Sequence, residues 1–343
     1  MKKLLITLME RGMISDVLIR NGIRRLLRKR LQHEHQKSER VNGSRPLFIS
    51  ELRKGPIAVQ TDKPKEQHYA LPPSFFHHIL GKRMKYSCNY WPEYATTLDT
   101  SEEAMLEIIC KRADIHDGMD ILDLGCGWGA LSLWISEHFP NCRIRAVSNS
   151  IPQREYIEGM CRERNLGNVT VETADMNYFE TTRRFDRIVS IEMFEHMLNW
   201  EKLMSRISGW LKDEGKLFVH IFCHRKYPYF FEAEGSDNWM GRYFFTAGIM
   251  PSEQLILYVQ KELVLVNQWR VNGMHYRKTA EEWLRNMDRK REQIMPLLES
   301  LYGQKNAALW FQRWRIFFMA CSELWGYDGG EEWFVSHYLF HRG

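Results

Sequence analysis

Two carboxylates and an imidazole stand within five positions of the chain, in the segment IVSIEMFEHM (188–197). The first four residues of this segment read as a buried strand, and Glu192, Glu195 and His196 follow it. A carboxylate attracts a cation, and an imidazole, with an unperturbed pKa near ~6.5, accepts a proton at neutral pH. These residue types indicate acid–base chemistry on a positively charged substrate.

Metal binding and a purely structural role are the alternatives for this segment. The pattern Glu-x-x-Glu-His resembles part of a zinc-binding helix, but neither H-E-x-x-H nor H-x-x-E-H occurs in the chain, so we expect no metal. In a structural role, Glu195 and His196 could begin a helix, because an acid in the first helical turn is stabilised by the helix dipole. The residues alone leave this second alternative open.

The surrounding sequence alternates between strand and helix patterns from about Thr97 onwards. Five strand patterns occupy residues 119–124, 142–148, 169–174, 185–191 and 215–222. Three helix patterns lie between them, at residues 130–139, 152–165 and 200–211. This alternation predicts an α/β fold with a doubly wound parallel sheet and right-handed crossovers. Such sheets bind ligands at the carboxyl ends of their strands, where residues 192–196 would lie.

The first of these strands ends in LDLGCGWG, the strongest signal in the sequence. Asp123 ends the strand, and Gly125, Gly127 and Gly129 open the following helix. Glycines let the backbone turn tightly and approach a ligand at a helix N-terminus. A dinucleotide site would read G-x-G-x-x-G, with an acid at the end of the second strand. Here the spacing is G-x-G-x-G and no acid follows, so the pattern disfavours a dinucleotide.

The glycine turn is instead typical of Rossmann-like, class I S-adenosylmethionine-dependent methyltransferases. Together with RMKYSCNYW (83–91), SNSIPQ (148–153) and IEMFEHM (191–197), it resembles the cyclopropane fatty acid synthase superfamily. Within that superfamily the chain is most similar to the plant coclaurine N-methyltransferase-like group. This similarity runs from about Tyr69 to the C-terminus and includes the tail GYDGGEEWFVSHYLF (326–340).

The resemblance implies that S-adenosylmethionine is the cofactor, and it assigns contacts along the cofactor from its methionine end to its adenine. The implied residues are Tyr86 and Ser87 at the methionine end, Asp123, Gly125, Gly127 and Gly129 at the backbone turn, Asn149 and Gln153 at the ribose, and Asp175 and Met176 at the adenine. Some of these could equally have a structural role, since Tyr86 could belong to the core and Asp175 could cap a helix.

The resemblance also implies N-methylation of a small, aromatic or cyclic amine, with Glu192, Glu195 and His196 as catalytic residues. A cation–π contact with the aromatic residues after Tyr227 would suit such an amine. An alternative within the superfamily is cyclopropane synthesis on an unsaturated lipid, in which a bound bicarbonate acts as the base. The residues implied for that bicarbonate site are Cys88, Glu195, His220 and Tyr276.

Two departures keep this alternative open. The plant amine methyltransferases carry an acid where this chain has His220, and another acid where it has Ala70. The tail at residues 326–340 and the helical N-terminal segment match the amine enzymes better.

The chain divides into three predicted regions. Residues 1–85 would form a helical N-terminal cap and linker, 86–225 the Rossmann-like core, and 226–343 an aromatic-rich lid with C-terminal helices and the last strands. We expect basic amphipathic helices in residues 2–31 and irregular structure in residues 32–67. Two long helix patterns follow from residue 279 onwards, and nine of the 12 tryptophans lie at or after Trp200.

Composition limits the partners. A net charge of +5 without a basic, aromatic stripe gives no reason to expect nucleic acid. Seven scattered cysteines are typical of a reduced, cytoplasmic protein. The sequence contains no run of 18 apolar residues, so we expect no transmembrane helix. The basic N-terminal helices could contact a membrane surface, but we favour packing against the protein. A homodimer is a further expectation.

Overall fold

A seven-stranded mixed sheet forms the centre of the computed structural model, which describes residues 2–40, 44–58, 71–232, 238–245 and 247–343. Its strands are β1 (Asp120–Leu124), β2 (Arg143–Ser148), β3 (Val169–Thr173), β4 (Phe185–Ile191), β5 (Leu211–His224), β8 (Leu263–Val271) and β9 (Trp333–Arg342). They lie in the order β3-β2-β1-β4-β5-β9-β8. The first five are parallel, whereas β9 runs antiparallel to both β5 and β8. A separate two-stranded ribbon pairs β6 (Tyr229–Phe230) with β7 (Ile249–Met250).

The helices fall into three groups along the chain. The N-terminal group is α1 (Lys2–Glu10), α2 (Asp16–Arg40), α3 (Ser44–Lys54) and α4 (Pro73–Ile79). The helices that accompany the parallel strands are α5 (Leu98–Arg112), α6 (Ala130–His138), α7 (Ile151–Glu163) and α8 (Trp200–Trp210). The C-terminal group is α9 (Trp239–Tyr243), α10 (Gly273–Arg289), α11 (Arg291–Tyr302) and α12 (Gln304–Trp325). The predicted α/β class I architecture is therefore confirmed.

The strands form where apolar residues can be buried on both faces of the sheet. In β1, residues Ile121, Leu122 and Leu124 have no exposed surface. The long strand β5 divides its side chains between two cores. Phe218 and Phe222 join one cluster, and Val219 joins the cluster on the opposite face. Burial on two faces makes these runs almost continuously hydrophobic, which is why their positions could be predicted.

The interpretation of residues 32–67 as irregular was wrong for its first part. Helix α2 continues to Arg40, where Glu34 is buried and bonds to Arg30 one turn earlier. Helix α3 then buries Phe48 and Leu52 against the core. Polar composition concealed this pattern because only one narrow face of each helix is apolar. Residues 59–67, like Ala70, lie outside the described part.

The C-terminal region contains three long helices rather than two. The first of the two predicted helices is divided at Lys290, whose φ of −102° and ψ of 26° interrupt the helix between α10 and α11. Gly303, with φ of +78°, then separates α11 from α12, a conformation that glycine adopts without strain. The chain after residue 225 also supplies β8 and β9 to the central sheet. The predicted domain boundaries remain a prediction.

The N-terminal helices are fastened to the C-terminal group by ion pairs. Arg20 on α2 bonds to Glu281 at 2.6 Å and to Glu323 at 3.0 Å, and Glu10 at the end of α1 pairs with Arg313. In addition, Ile19 is buried in the same cluster as α12. These helices therefore pack on the protein, as favoured from the sequence. No helix in the described ranges is long and apolar enough to cross a membrane.

Candidate active site

A cavity of about 1240 Å³ lies at the carboxyl ends of the parallel strands, between the sheet and the N-terminal helices. Much of its wall is apolar, with contributions from α1, α2 and α12. Twelve of the predicted site residues line it: Tyr86, Ser87, Asp123, Gly125, Gly127, Asn149, Gln153, Asp175, Met176, Glu192, His196 and Tyr276. The other four, Cys88, Gly129, Glu195 and His220, lie behind the wall.

The glycine turn forms one side of the cavity. Gly125, Gly127 and Gly129 all have positive φ, of 77°, 54° and 81°. A Cβ atom on Gly125 would lie 2.8 Å from Met193, and one on Gly129 would lie 2.7 Å from Ile157. A Cβ atom on Gly127 would meet no atom of the described chain within 4 Å. Gly125 and Gly129 thus allow close packing, whereas Gly127 leaves open space for a ligand.

Two polar residues follow β2 at the edge of this turn. The Ser148 hydroxyl donates to Gln153 Oε1 at 2.6 Å, which fixes the orientation of the Gln153 amide. Its Nε2 is buried and has no hydrogen-bond partner in the described protein. Buried amides are normally satisfied, so this donor is suited to a ligand oxygen. Asn149, half-buried beside it, also lines the cavity.

Two acids border the same end of the cavity. Asp123 is buried and accepts a 2.6 Å bond from Ser132, and burial raises the pKa of its carboxyl to about 6. Asp175 Oδ1 accepts from the backbone amide of Asn177 at 2.8 Å. Asp175 therefore does cap a turn, the structural role considered for it, and it lines the cavity as well. Met176 is buried next to it.

The segment before α5 covers the opposite side of the cavity. Tyr86 lies between Phe76 and Trp283, with ring centroids 5.2 Å and 5.4 Å away, so it is also part of the core. Lys85 is buried, and its Nζ donates to Ser87 Oγ at 2.6 Å and to the Cys88 carbonyl at 2.5 Å. Lys85 was not predicted from the sequence. Its place directly before Tyr86, within the segment RMKYSCNYW that was already singled out, was the signal that could have found it.

Glu192 lies at the centre of the polar part of the site. Its backbone has φ of +48°, a region that costs a non-glycine residue roughly 1–3 kcal/mol unless the surroundings hold it. Three groups hold its carboxylate: the Cys88 amide donates to Oε1 at 2.9 Å, the Tyr276 hydroxyl donates to Oε2 at 2.7 Å, and His220 Nε2 lies 3.2 Å from Oε1. The turn after β4 is therefore shaped to point one carboxylate into the cavity.

The charge of Glu192 depends on opposing effects. Burial raises the pKa of its carboxyl, while the Lys85 ammonium, the Cys88 amide and the Tyr276 hydroxyl oppose that rise. Hydrogen bonds to a carboxylate stabilise its ionised form. An arriving cation would stabilise it further, so the site is suited to binding positive charge.

His196 and Glu195 stand in different environments, although both lie in a short 3₁₀ helix (Phe194–His196). His196 is half-buried and lines the cavity, and burial lowers the pKa of its imidazole, so the ring is neutral at pH 7. Glu195 is fully buried, and its Oε1 accepts a 2.6 Å bond from the Phe222 amide. Burial, and then the neighbouring Glu192, raise the pKa of Glu195 well above the usual value.

The four residues considered for a bicarbonate site are only partly brought together. Cys88, His220 and Tyr276 converge, but all three donate to or contact the Glu192 carboxylate. Glu195 instead turns towards the backbone of β5. A bicarbonate bound among these donors would have to take the place of the Glu192 carboxylate. The negative charge of Glu192 would still lie nearby and repel it.

The sheet and the glycine-lined cavity define a class I methyltransferase, and comparison with known proteins identifies its family. Residues 59–327 match the family model of mycolic acid cyclopropane synthetase. The chain is 39% identical to (S)-coclaurine N-methyltransferase of Papaver somniferum, over 99% of this chain and 98% of that protein. It is 30% identical to the cyclopropane-fatty-acyl-phospholipid synthase of Escherichia coli K12, over 78% of this chain and 66% of that protein.

Structural comparison agrees with the sequence comparison. A crystal structure of coclaurine N-methyltransferase bound to N-methylheliamine and S-adenosylhomocysteine superposes with a TM-score of 0.94 at 39% identity, over 98% of this chain and 99% of that one. The chain belongs to the mycolic acid cyclopropane synthetase family and is an S-adenosylmethionine-dependent N-methyltransferase. The resemblance and the cofactor inferred from the sequence are thereby confirmed.

Proposed function

We propose that the protein methylates the ring nitrogen of a hydrophobic cyclic amine of the benzylisoquinoline type. The observation that carries this proposal is the Glu192 carboxylate, which enters an otherwise largely apolar cavity and is held by Cys88, His220 and Tyr276. A protonated amine with an apolar ring system complements both features. The identity to N-methyltransferases of such alkaloids supports the same substrate class.

Residues around the glycine turn fit the cofactor, which supplies an electrophilic methyl group when bound. Gly127 leaves room for it, and the unpaired Gln153 Nε2 offers a donor suited to a ribose hydroxyl. Asn149 would share the ribose, Asp175 and Met176 would border the adenine, and Tyr86 and Ser87 would cover the methionine end.

The acceptor must lose a proton before its nitrogen can attack. Alkyl amines resemble lysine, with a pKa near ~10.4, so they reach the site mainly as ammonium ions. Glu192 would bind the ammonium, and the neutral His196 ring would accept the proton. Glu195, behind the wall, would support Glu192 and the β4 turn rather than contact the amine.

The residue types of a bicarbonate site are also present, so cyclopropane synthesis on lipid is tested as a second activity. The arrangement of Cys88, His220 and Tyr276 around Glu192 favours the amine. A membrane lipid would also have to enter beneath α1 and α2, which ion pairs fasten to the C-terminal helices.

The test is a methyl-transfer assay with labelled S-adenosylmethionine. Secondary cyclic amines that carry a benzyl group would compete with vesicles of unsaturated phospholipid, each with and without added bicarbonate. We expect label in the amine and no stimulation by bicarbonate. Label in the acyl chains, stimulated by bicarbonate, would establish the lipid activity instead.

A further inference from the structure

A chain of hydrogen bonds leads away from Glu192 through the sheet. His220 Nε2 lies 3.2 Å from Glu192 Oε1, His220 Nδ1 lies 2.9 Å from His337 Nε2, and His337 Nδ1 lies 2.8 Å from an Arg112 Nη atom. His220 and His337 are fully buried, whereas Arg112 is half-buried. The chain thus joins the acceptor carboxylate to a cation at the end of α5.

The sheet determines this alignment. His220 on β5 and His337 on β9 are direct partners in the antiparallel ladder. Opposite side chains in such a pair lie close together on one face. Their ring centroids are 4.6 Å apart, and Phe218 packs edge-on against His337 at 5.1 Å. Neighbouring strands therefore hold both rings in place before any ligand arrives.

Arg112 determines the direction of every bond in the chain. A guanidinium only donates, so His337 Nδ1 must accept and the proton of this neutral ring must be on Nε2. His337 Nε2–H then donates to His220 Nδ1, and His220 must carry its own proton on Nε2. That proton faces Glu192 Oε1. These tautomers follow from the hydrogen-bond network, with one donor for each acceptor.

Neither histidine can hold a second proton without breaking this order, because each Nδ1 already receives a hydrogen bond. Burial lowers the pKa of both rings well below the usual value, which agrees with two neutral imidazoles. Arg112 forms no ion pair with a carboxylate in the described part of the chain, and its guanidinium lies over the Trp269 ring. The hydrogen bond to His337 therefore connects the Arg112 guanidinium to Glu192 through the two histidine rings.

We propose that Arg112 and His337 are positioning residues that fix His220 as the Nε2–H tautomer and so hold Glu192 ionised and aimed into the cavity. The consequence for catalysis rests on the proposed function, in which Glu192 binds the ammonium. Other groups also affect the Glu192 charge: Lys85 and Cys88 before α5, Glu195 and His196 after β4, Tyr276 on α10 and Cys321 on α12. The test must separate the chain from these groups.

The first measurement does not depend on activity. Nitrogen-15 spectra of histidine-labelled protein distinguish the two neutral tautomers, and the variants His220→Gln and His337→Gln assign the signals. We expect the Nε2–H form at both positions in the wild-type protein. An Nδ1–H form or a charged ring at either position would overturn the proposal, even if no variant of Arg112 folds.

The second measurement is the pH profile of kcat/KM in three variants. Arg112→Met removes the donor and keeps the side-chain stem, so the acid limb should move up by about one pH unit, with about a tenfold loss of kcat/KM below it. Arg112→Lys should restore most of the profile. Lys111→Met removes an exposed cation from the same turn and should leave the profile unchanged.

Equal shifts of the acid limb in Arg112→Met and Lys111→Met would show a general effect of removing positive charge. They would reject a specific role for the hydrogen bonds between Arg112 and Glu192. The two proposals can fail separately. If the wild-type protein methylates no amine, the proposed function fails while the tautomer spectra still decide the hydrogen-bond chain. If amine methylation is confirmed and Arg112→Met keeps the wild-type limb, only the positioning role is rejected.

Discussion

The backbone amide of Cys88 donates a 2.9 Å hydrogen bond to Glu192 Oε1, across 104 residues of sequence. Cys88 directly follows the segment of Tyr86 and Ser87, which covers one side of the cavity, and Glu192 begins the turn after β4. One bond thus links the segment proposed to cover the cofactor to the carboxylate proposed to bind the acceptor. This link places Glu192 first among the residues to test.

Glu192→Gln should separate charge from shape. The amide keeps the size of the side chain but offers no net charge to an ammonium, so we expect kcat/KM for the amine to fall about 100-fold. The dissociation constant of S-adenosylmethionine, measured by calorimetry, should change less than about threefold. Glu232→Gln is the matched control, because Glu232 is an exposed carboxylate at the same cavity. Equal losses in both variants would argue against a specific role for Glu192.

His196→Ala should lower turnover by about 100-fold, a typical effect of losing a general base. Burial lowers the pKa of His196, so in the wild-type protein its proton-accepting form persists to a pH below ~6.5. In the variant, turnover should rise steadily between pH 7 and 9 as more amine loses its proton in solution. Steady-state rates across this range check the difference, and parallel profiles would exclude His196 as the base.

Glu195→Gln should stabilise the fold more at high pH than at low pH. The raised pKa of buried Glu195 means that the folded protein retains a proton which the unfolded chain has released. Its contribution to stability is therefore full below the unfolded pKa, near ~4.3, and is lost as pH rises through the folded pKa. The glutamine is neutral throughout. The variant's melting temperature relative to wild type should increase from pH 5 to pH 9, whereas a constant difference would contradict a buried, protonated Glu195.

Gly127→Ala and Gly129→Ala form a matched pair in one turn, with φ of 54° and 81°. The methyl group on residue 127 would enter the open cavity, so cofactor affinity should fall at least about tenfold, and the positive φ should cost the alanine roughly 1–2 kcal/mol of stability. The methyl group on residue 129 would meet Ile157 at 2.7 Å and should chiefly lower the melting temperature. Calorimetry and thermal unfolding measure the two effects. Unchanged cofactor affinity in Gly127→Ala would contradict the assignment of this turn.

The parallel half of the sheet could be predicted because its information is local. Burial on both faces makes β1 and the end of β4 apolar runs. The turn after β1 needs positive φ at three positions, and the glycines at those positions are visible in the sequence. For the antiparallel half, strands β8 and β9, the sequence did not predict where each strand begins and ends. Strand β8, with its many polar and partly exposed residues, joins the sheet only because β9 pairs with it.

The acceptor site shows a similar division. Glu192 and His196 were predicted from their own segment, but the partners of Glu192 depend on distant pairings. His220 meets His337 through a strand register that spans 117 residues, and Tyr276 arrives on α10. Residue types alone allowed a bicarbonate site. Only the tertiary arrangement shows that the same donors surround a side-chain carboxylate.

The ion pairs of Arg20 with Glu281 and Glu323 lie between α2 and the C-terminal helices, away from the glycine turn. The N-terminal helices that line the cavity are thus anchored separately from the glycine turn. Under the proposed function, mutations in α1 and α2 should change the acceptor side of the cavity with little effect on cofactor binding. This separation offers an evolutionary route to new acceptors, and it makes these two helices the natural targets for library-based engineering of substrate range.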